Sequence, residues 1–340
     1  MKLARTLRFL LLAATLSLAG IAAAQSAIAP IVIKFSHIAD ADTPRGKAAL
    51  RFKQLVEQSS HGRLRVDVYP NGVLYRESDE LEALQLGAVQ MLAPSLAKLA
   101  LFGVREFEVF DLPYLFTDQE SVERVTHGAV GKSLLKKLDA KGMVGLAYWN
   151  GGLKIMSANK PINMPNDFIG LRMRIHASPV LDMEMDTLGA TPITMDAGDV
   201  YGALKSGLLD GAESTLANFR TRRWYEVQSN VTLSNHGYVG YAVTVNKRFW
   251  ESLPTDLRKI IDEAMAEATV YGNALAAREN SMALEWLQKS DRLVVHVPTA
   301  AEKTAWRAAL QPVARELESR IGRGIVMAAE SEAEGRWRRR

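Results

Sequence analysis

Arg172, Arg174 and His176 alternate with Leu171, Met173 and Ile175, which is the pattern of a strand with one cationic and one apolar face. A guanidinium offers a carboxylate two parallel N–H donors, and it does not lose its charge by deprotonation. Two readings stay open at this point. The strand displays both arginines to solvent, or one arginine turns into a cleft and holds an anionic ligand. Gly151, Gly152, Pro161, Pro165 and Gly170 surround these residues and predict two short strands joined by a loop over residues 148–178.

Other chemistries lack their residues. The six histidines, at 37, 61, 127, 176, 236 and 296, form neither H-x-x-x-H nor H-E-x-x-H. There is no G-x-S-x-G elbow and no glycine-rich phosphate loop. No metal, cofactor or catalytic residue is therefore expected. A periplasmic enzyme, the rival class, would need His37, Glu77 and His236 to converge as an acid–base set. The acidic groups Asp79, Glu80 and Glu82, and Glu330, Glu332 and Glu334, read as solvated helix faces. So does the basic cluster Arg220, Arg222 and Arg223 before Trp224.

The elements that must position these residues alternate strand and helix. Residues 31–36 are β-branched and apolar, and predict a first strand ending in a polar loop from His37 to Pro44. A helix with Ala48, Phe52 and Val56 on one face follows. Residues 64–69 give a second strand, residues 80–86 a helix stopped by Gly87, and residues 89–93 a third strand ending at Ser95. This βαβαβ rhythm implies a parallel sheet, whose ligands sit beyond the carboxyl ends of its strands. His37 and Ser95, each just past a strand end, are thereby placed at a cleft edge. Residues 121–141 read as one helix, and residues 107–116 as a packed aromatic turn. From Pro254 the pattern is helical to about residue 287, with Gly272 as a point of bending. Thr299 and Glu302 form a capping box for a late helix, and the basic tail 336–340 reads as solvated.

The first residues have the form of a secretory signal. Lys2, Arg5 and Arg8 precede an apolar stretch over residues 9–18, and Ala22-Ala23-Ala24 offers cleavage before Gln25. Losing those three cations takes the formal net charge from +4 to about +1 (4 − 3), so no nucleic-acid surface is expected. The chain has no Cys, so disulfides and thiolate chemistry are absent. Its 340 residues suffice for two domains, each with its own core.

Seven strings carry a family resemblance: I-V-I-K-F-S-H (31–37), A-P-S-L-A-K (93–98), F-D-L-P-Y-L-F (110–116), G-L-A-Y-W-N-G-G-L-K (145–154), S-A-N-K-P (157–161), G-L-R-M-R (170–174) and L-P-T-D-L-R (253–258). In this order and spacing the mature chain resembles the DctP-type solute-binding proteins of TRAP transporters, most closely their C4-dicarboxylate branch. The resemblance implies an α/β fold of two domains, with a ligand cleft between them and a long helix spanning both. It implies a periplasmic protein that passes an organic acid to membrane permease subunits. On the same basis Arg174 clamps the ligand carboxylate, Lys154 is a second cation, and Arg172 points elsewhere. Ser95, His37, Ser214, Glu77, His176 and His236 complete the candidate ligand-binding set.

The expected domains are residues 30–151 with 236–275, and 152–235 with 276–335, after a signal at 1–24. Hinges fall near Gly151-Gly152 and residues 234–237. A monomer is expected. The chain departs from the family at Glu213-Ser214-Thr215, where E-N-P is frequent, at Arg174-Ile175-His176, where R-V-Q or R-V-P is, and at Ala197, where an aromatic is frequent. These changes leave a carboxylate ligand in place and do not fix its length. A receptor that presents its ligand to a membrane sensor would share the fold and the site.

Overall fold

The computed structural model describes residues 29–335, so the signal at 1–24 and the tail at 336–340 lie outside the described residues. The strands are β1 Ile31–Ser36, β2 Leu64–Tyr69, β3 Met91–Leu92, β4 Met143–Ala158, β5 Arg172–Ile175, β6 Thr191–Thr194, β7 Gly211–Thr215, β8 Asn230–Thr232, β9 Tyr238–Asn246 and β10 Val294–His296. They run in the order β2-β1-β3-β9-β4-β7-β5-β6, with β8 also pairing β4 and β10 pairing β8. The pairs β1/β2, β1/β3, β5/β6 and β5/β7 are parallel, as the strand–helix alternation implied. Both β9 and β4 are antiparallel insertions between these two parallel halves.

The two strands and loop expected over residues 148–178 are present as β4, residues 159–171 and β5, but the crossing between the halves is β4 alone, which runs on through Gly151 and Gly152. β4 is 16 residues long. Its first part pairs β9 from Met143 to Leu153, and its last part pairs β7 and β8 from Lys154 to Ala158. The glycines that predicted a break are absorbed as an irregularity inside the strand, with a register shift between Asn150 and Gly152. Gly152 has φ 124°, and a Cβ there would lie 2.7 Å from Asn280 Nδ2. Only glycine meets both conditions.

The helix Thr255–Gln288 is continuous over 34 residues, about 51 Å at the usual rise. Gly272 serves packing: a Cβ there would stand 2.7 Å from Ala48 Cβ on helix Pro44–Ser59. The same long helix ties down the crossing strand with three polar side chains. Thr269 Oγ1 accepts from Trp149 Nε1 at 3.0 Å, and Asn273 Oδ1 from the Asn150 N–H at 2.8 Å. Asn280 donates to the Gly151 carbonyl at 2.8 Å and accepts from Ala217 N at 3.0 Å.

One core cluster joins β1, β2, β9 and the helices Pro44–Ser59 and Thr255–Gln288. A second lies under helix Val200–Lys205 around Phe219 and Trp224. A third, the largest, runs from Leu81 and Phe110 to Met173, Leu181 and Trp306 and so spans both halves of the sheet. Among the described residues no helix is long and apolar enough to cross a membrane.

Two expectations are corrected by packing. Residues 121–141 form two helices, Gln119–His127 and Ala129–Lys137, because Glu332 reaches the break at Gly128 and accepts from Ala129 N at 2.8 Å. Glu332 is therefore buried, as is Glu80, which pairs with Lys98 at 2.8 Å. Neither belongs to a solvated face.

Candidate ligand-binding site

Arg172 and Arg174 occupy one strand, two residues apart, and meet opposite fates. Arg172 forks onto Asp210, from Nε to Oδ2 at 2.9 Å and Nη2 to Oδ1 at 2.8 Å, at the protein surface. Arg174 is buried. Its Nε and Nη2 donate to the Met195 carbonyl at 3.0 and 2.9 Å, and Nη1 lies 3.4 Å from both ring nitrogens of His176. Burial pushes the Arg174 pKa down while Glu77 and Glu213 oppose it, and a guanidinium so placed stays charged. Burial and the neighbouring Arg174 also depress His176, which is held neutral near neutral pH.

Arg174 lines a narrow, nearly filled cavity together with Arg45, Arg222 and Glu77. Arg45 is the second residue of helix Pro44–Ser59, which Thr43 caps by accepting from Gly46 N. It donates from Nη1 to the Ala93 carbonyl at 3.0 Å, and its guanidinium carbon stands 3.9 Å from the Tyr241 ring centre. Arg222 follows helix Leu216–Thr221 and is pushed down first by burial and then by Arg45. The expected solvated basic face is thus corrected. Arg223 takes a left-handed conformation at φ 60° and pairs with Glu226 in solvent, which leaves Arg222 turned into the cavity.

Ser95, Ser214, His176, Asn218, Trp224 and Tyr241 line the same cavity. Ser95 Oγ, Arg45 Nε and Trp224 Nε1 are buried without a hydrogen-bond partner, so three donor groups converge there unsatisfied. Glu77 accepts from Ala197 N at 3.2 Å and so bridges the two halves of the sheet. Burial raises its pKa, but His176, Arg174 and Lys98 outweigh that and hold the carboxyl below the usual range. Just outside, Arg76 pairs with Asp196 at 3.2 Å and Asp199 at 2.6 Å, two more bridges across the same gap.

Three of the residues proposed from sequence do not line this cavity: Lys154, His37 and His236. Lys154 is buried and donates to Glu213 Oε2 at 2.9 Å, so its charge is already matched. It borders a smaller neighbouring space with Ser95, Asp111 and His176. His236 lies behind it, with Nε2 at 3.5 Å from Glu213 and 3.6 Å from Glu184, and Nδ1 at 2.7 Å from Ser234 Oγ. His37 extends the β1/β2 ladder, donating from N to the Tyr69 carbonyl at 3.0 Å, and its ring packs edge-on against Phe35. Burial first, and Arg45 second, lower His37 to about 3. It is a neutral core residue, and its neighbour Ile38 lines the cavity in its place.

The chamber behind the cavity is acidic as well as basic. Burial tends to raise Glu213, but Lys154 and then the two histidines hold it far below the ordinary range. Burial lifts Glu184 to about 7 and Asp111 to about 6, against the opposing charge of Lys154 in both cases. Glu184, Glu213 and His236 bring possible metal-ligand atoms within 4.8 Å of one another. The Lys154 ammonium already holds the cationic place beside Glu213, while Glu184 Oε1, Glu213 Oε1 and His236 Nε2 are buried without a hydrogen-bond partner.

Residues 35–320 match the family model described as DctP, bacterial extracellular solute-binding protein, family 7. The chain belongs to this family. It is 52% identical over 302 residues to the C4-dicarboxylate-binding periplasmic protein DctP of Rhodobacter capsulatus, covering 89% of this chain and 91% of that one. It is 38% identical over 297 residues to the C4-dicarboxylate-binding protein DctB of Bacillus subtilis, covering 87% and 85%. Among solved structures, a TRAP periplasmic solute-binding protein of Shewanella oneidensis with bound succinate superposes with a TM-score of 0.87 at 39% identity, covering 90% of this chain and 100% of that one. A Pseudomonas aeruginosa counterpart with bound L-malate gives 0.81 at 36% identity, covering 84% and 100%. The two-domain binding-protein fold with a cleft between its domains is thereby shared. The cavity around Arg174 is lined by residues from both halves of the sheet.

Proposed function

We propose that the protein is the periplasmic solute-binding component of a TRAP transporter and captures a C4-dicarboxylate between Arg174 on one side and Arg45 with Arg222 on the other. The observation that carries this reading is the convergence of three guanidinium groups and one carboxylate on a single small cavity. A dicarboxylate that loses its water there needs a charged partner at each end. Lys154, matched by Glu213, is not that second partner in this reading. Ser95, Ser214 and Trp224 supply hydrogen bonds along the ligand, and His176 keeps Nη1 of Arg174 in place.

The names of relatives from Rhodobacter capsulatus and Bacillus subtilis, and the succinate and L-malate in the related structures, support the same ligand class. The protein works by binding and release without turnover, as a monomer exported with cleavage before Gln25, and hands the acid to membrane subunits. Its two domains are residues 30–151 with 236–275, and 152–235 with 276–335, hinged where β4 and the chain before β9 pass between them. Isothermal titration of the mature chain against succinate, L-malate and butyrate tests the ligand class. Saturable binding of both diacids and none of butyrate is expected. Equal affinity for butyrate would overturn the two-ended reading.

A further inference from the structure

The cavity holds more positive charge than a dicarboxylate can match. Arg45, Arg174 and Arg222 carry three charges, and the only carboxylate among the described lining residues is Glu77. The nearby ion pairs are closed and add nothing: Lys98 with Glu80 at 2.8 Å, and Lys154 with Glu213 at 2.9 Å. Glu77 and Arg222 reach from this cavity to the wider mouth, where Asp40, Asp196, Asp199 and Arg76 stand in solvent and are screened by water. The enclosed sum is therefore three minus one, which leaves two positive charges facing the ligand.

We propose that Glu77 sets the charge of the ligand at two, by occupying the third cationic equivalent of the cleft and so rejecting trianions. This inference rests on the dicarboxylate reading above and adds to it a named specificity residue. Buried charge left unmatched is strongly unfavourable, so a closed site selects the ligand that brings its sum to zero. Glu77 is well placed for this. Its carboxylate is fixed by the Ala197 N–H at 3.2 Å, and the Arg174 guanidinium acts on it from across the gap.

The test compares two ligands of equal length, succinate and 3-phosphonopropionate, at one pH where the phosphonate is doubly ionised. Calorimetry is run on the wild type, Glu77→Gln and Glu77→Asp, each with a thermal melt to register folding. The Gln amide oxygen keeps the acceptor for Ala197 N–H and removes only the charge. The Asp side chain keeps the charge and shortens the tether. In the wild type succinate binds more tightly than the trianion. In Glu77→Gln the affinity ratio moves toward the trianion by about tenfold or more. In Glu77→Asp both affinities fall and the ratio stays. An unmoved ratio in Glu77→Gln, or the same shift in Glu77→Asp, would overturn the inference while leaving the dicarboxylate reading intact. Failure of the wild type to bind succinate would remove that reading and this one with it.

Discussion

Two clusters of buried charge lie on either side of His176, and they handle that charge in opposite ways. The chamber of Lys154, Glu213, His236, Glu184 and Asp111 gathers three carboxyls around one ammonium. Its lysine and glutamate are 2.9 Å apart, and Asp111 accepts from Ser178 at 2.8 Å. The cavity of Arg45, Arg174, Arg222 and Glu77 has the reverse balance, since three cations face one carboxylate, and each cluster leaves three buried polar atoms without a partner. Both are rich in ionisable groups, so composition alone does not distinguish them. What distinguishes them is the sign of the surplus: three carboxyls share one ammonium in the chamber, and three guanidiniums share one carboxylate in the cavity. A surplus of carboxyls is relieved by taking up protons, whereas guanidiniums stay charged and call for an anion.

The largest effect that can break this contrast is on stability. Lys154→Met leaves Glu213 buried without its cation, and breaking a buried pair in this way is expected to destabilise by about 3–5 kcal/mol. Chemical denaturation measures it. Lys154→Met/Glu213→Gln, which removes both charges, should recover a substantial part. If Lys154→Met keeps full stability and loses only ligand affinity, the lysine belongs to the binding cavity after all and the contrast collapses.

Arg174→Lys tests the other side. It keeps a charge but gives up the fork that holds Met195 and leaves Nη1 for the ligand. Succinate affinity should fall by about 2 kcal/mol or more, with little change in melting temperature. Calorimetry beside a thermal melt separates the two. Wild-type affinity in this variant would remove Arg174 from the site.

The sequence was legible where local pattern and final burial agreed. The strand at Arg174, the stop at Gly87 and the capping box of Thr299 and Glu302 all appear where expected. Arg45 and Arg222 were missed for different reasons. Arg222 sits in a run of basic residues, and only the left-handed turn at Arg223 separates it from its solvated neighbours. Arg45 did leave a signal. It stands in the first turn of a helix, where the dipole disfavours a cation, and a residue that opposes its local preference points to a role elsewhere. The pairing of Lys154 with Glu213 was not legible, because it depends on β4 running on through two glycines to lie beside β7. Glycine reads as a break in sequence, and here it marks a bulge.

Protonation sharpens the contrast further. Glu184 faces His236, Lys154, Glu213, Asp111 and Tyr114. Burial lifts it to about 7, above the ordinary 4.5. The folded chain then binds this proton more tightly than the unfolded chain does. Its contribution to stability is present below the ordinary value and is lost as pH rises through about 7. Glu184→Gln mimics the protonated form, so its melting temperature relative to the wild type should climb between about pH 5 and about pH 8. A constant gap across that window would mean that Glu184 is ionised throughout and that the chamber does not relieve its surplus of carboxyls by taking up a proton there.

The smallest expected effect concerns the rim. Arg76 pairs with Asp196 and Asp199 across the gap that the ligand must enter, but all of this lies in solvent. Exposed pairs of this kind contribute little and are screened by salt. Their place across the gap still gives them a direction. They favour the state in which Glu77 meets Ala197, so they slow ligand escape more than they add to the contacts of the ligand itself. Arg76→Ala should therefore weaken succinate binding by at most about fivefold. The loss should appear mainly in the dissociation rate, and the variant should lose much of the salt dependence seen in the wild type. Stopped-flow release at low and high salt reads both quantities. A loss as large as that of Arg174→Lys would make the rim part of the binding site. No change at either salt concentration would leave the enclosed arginines and Glu77 as the whole of the ligand's hold.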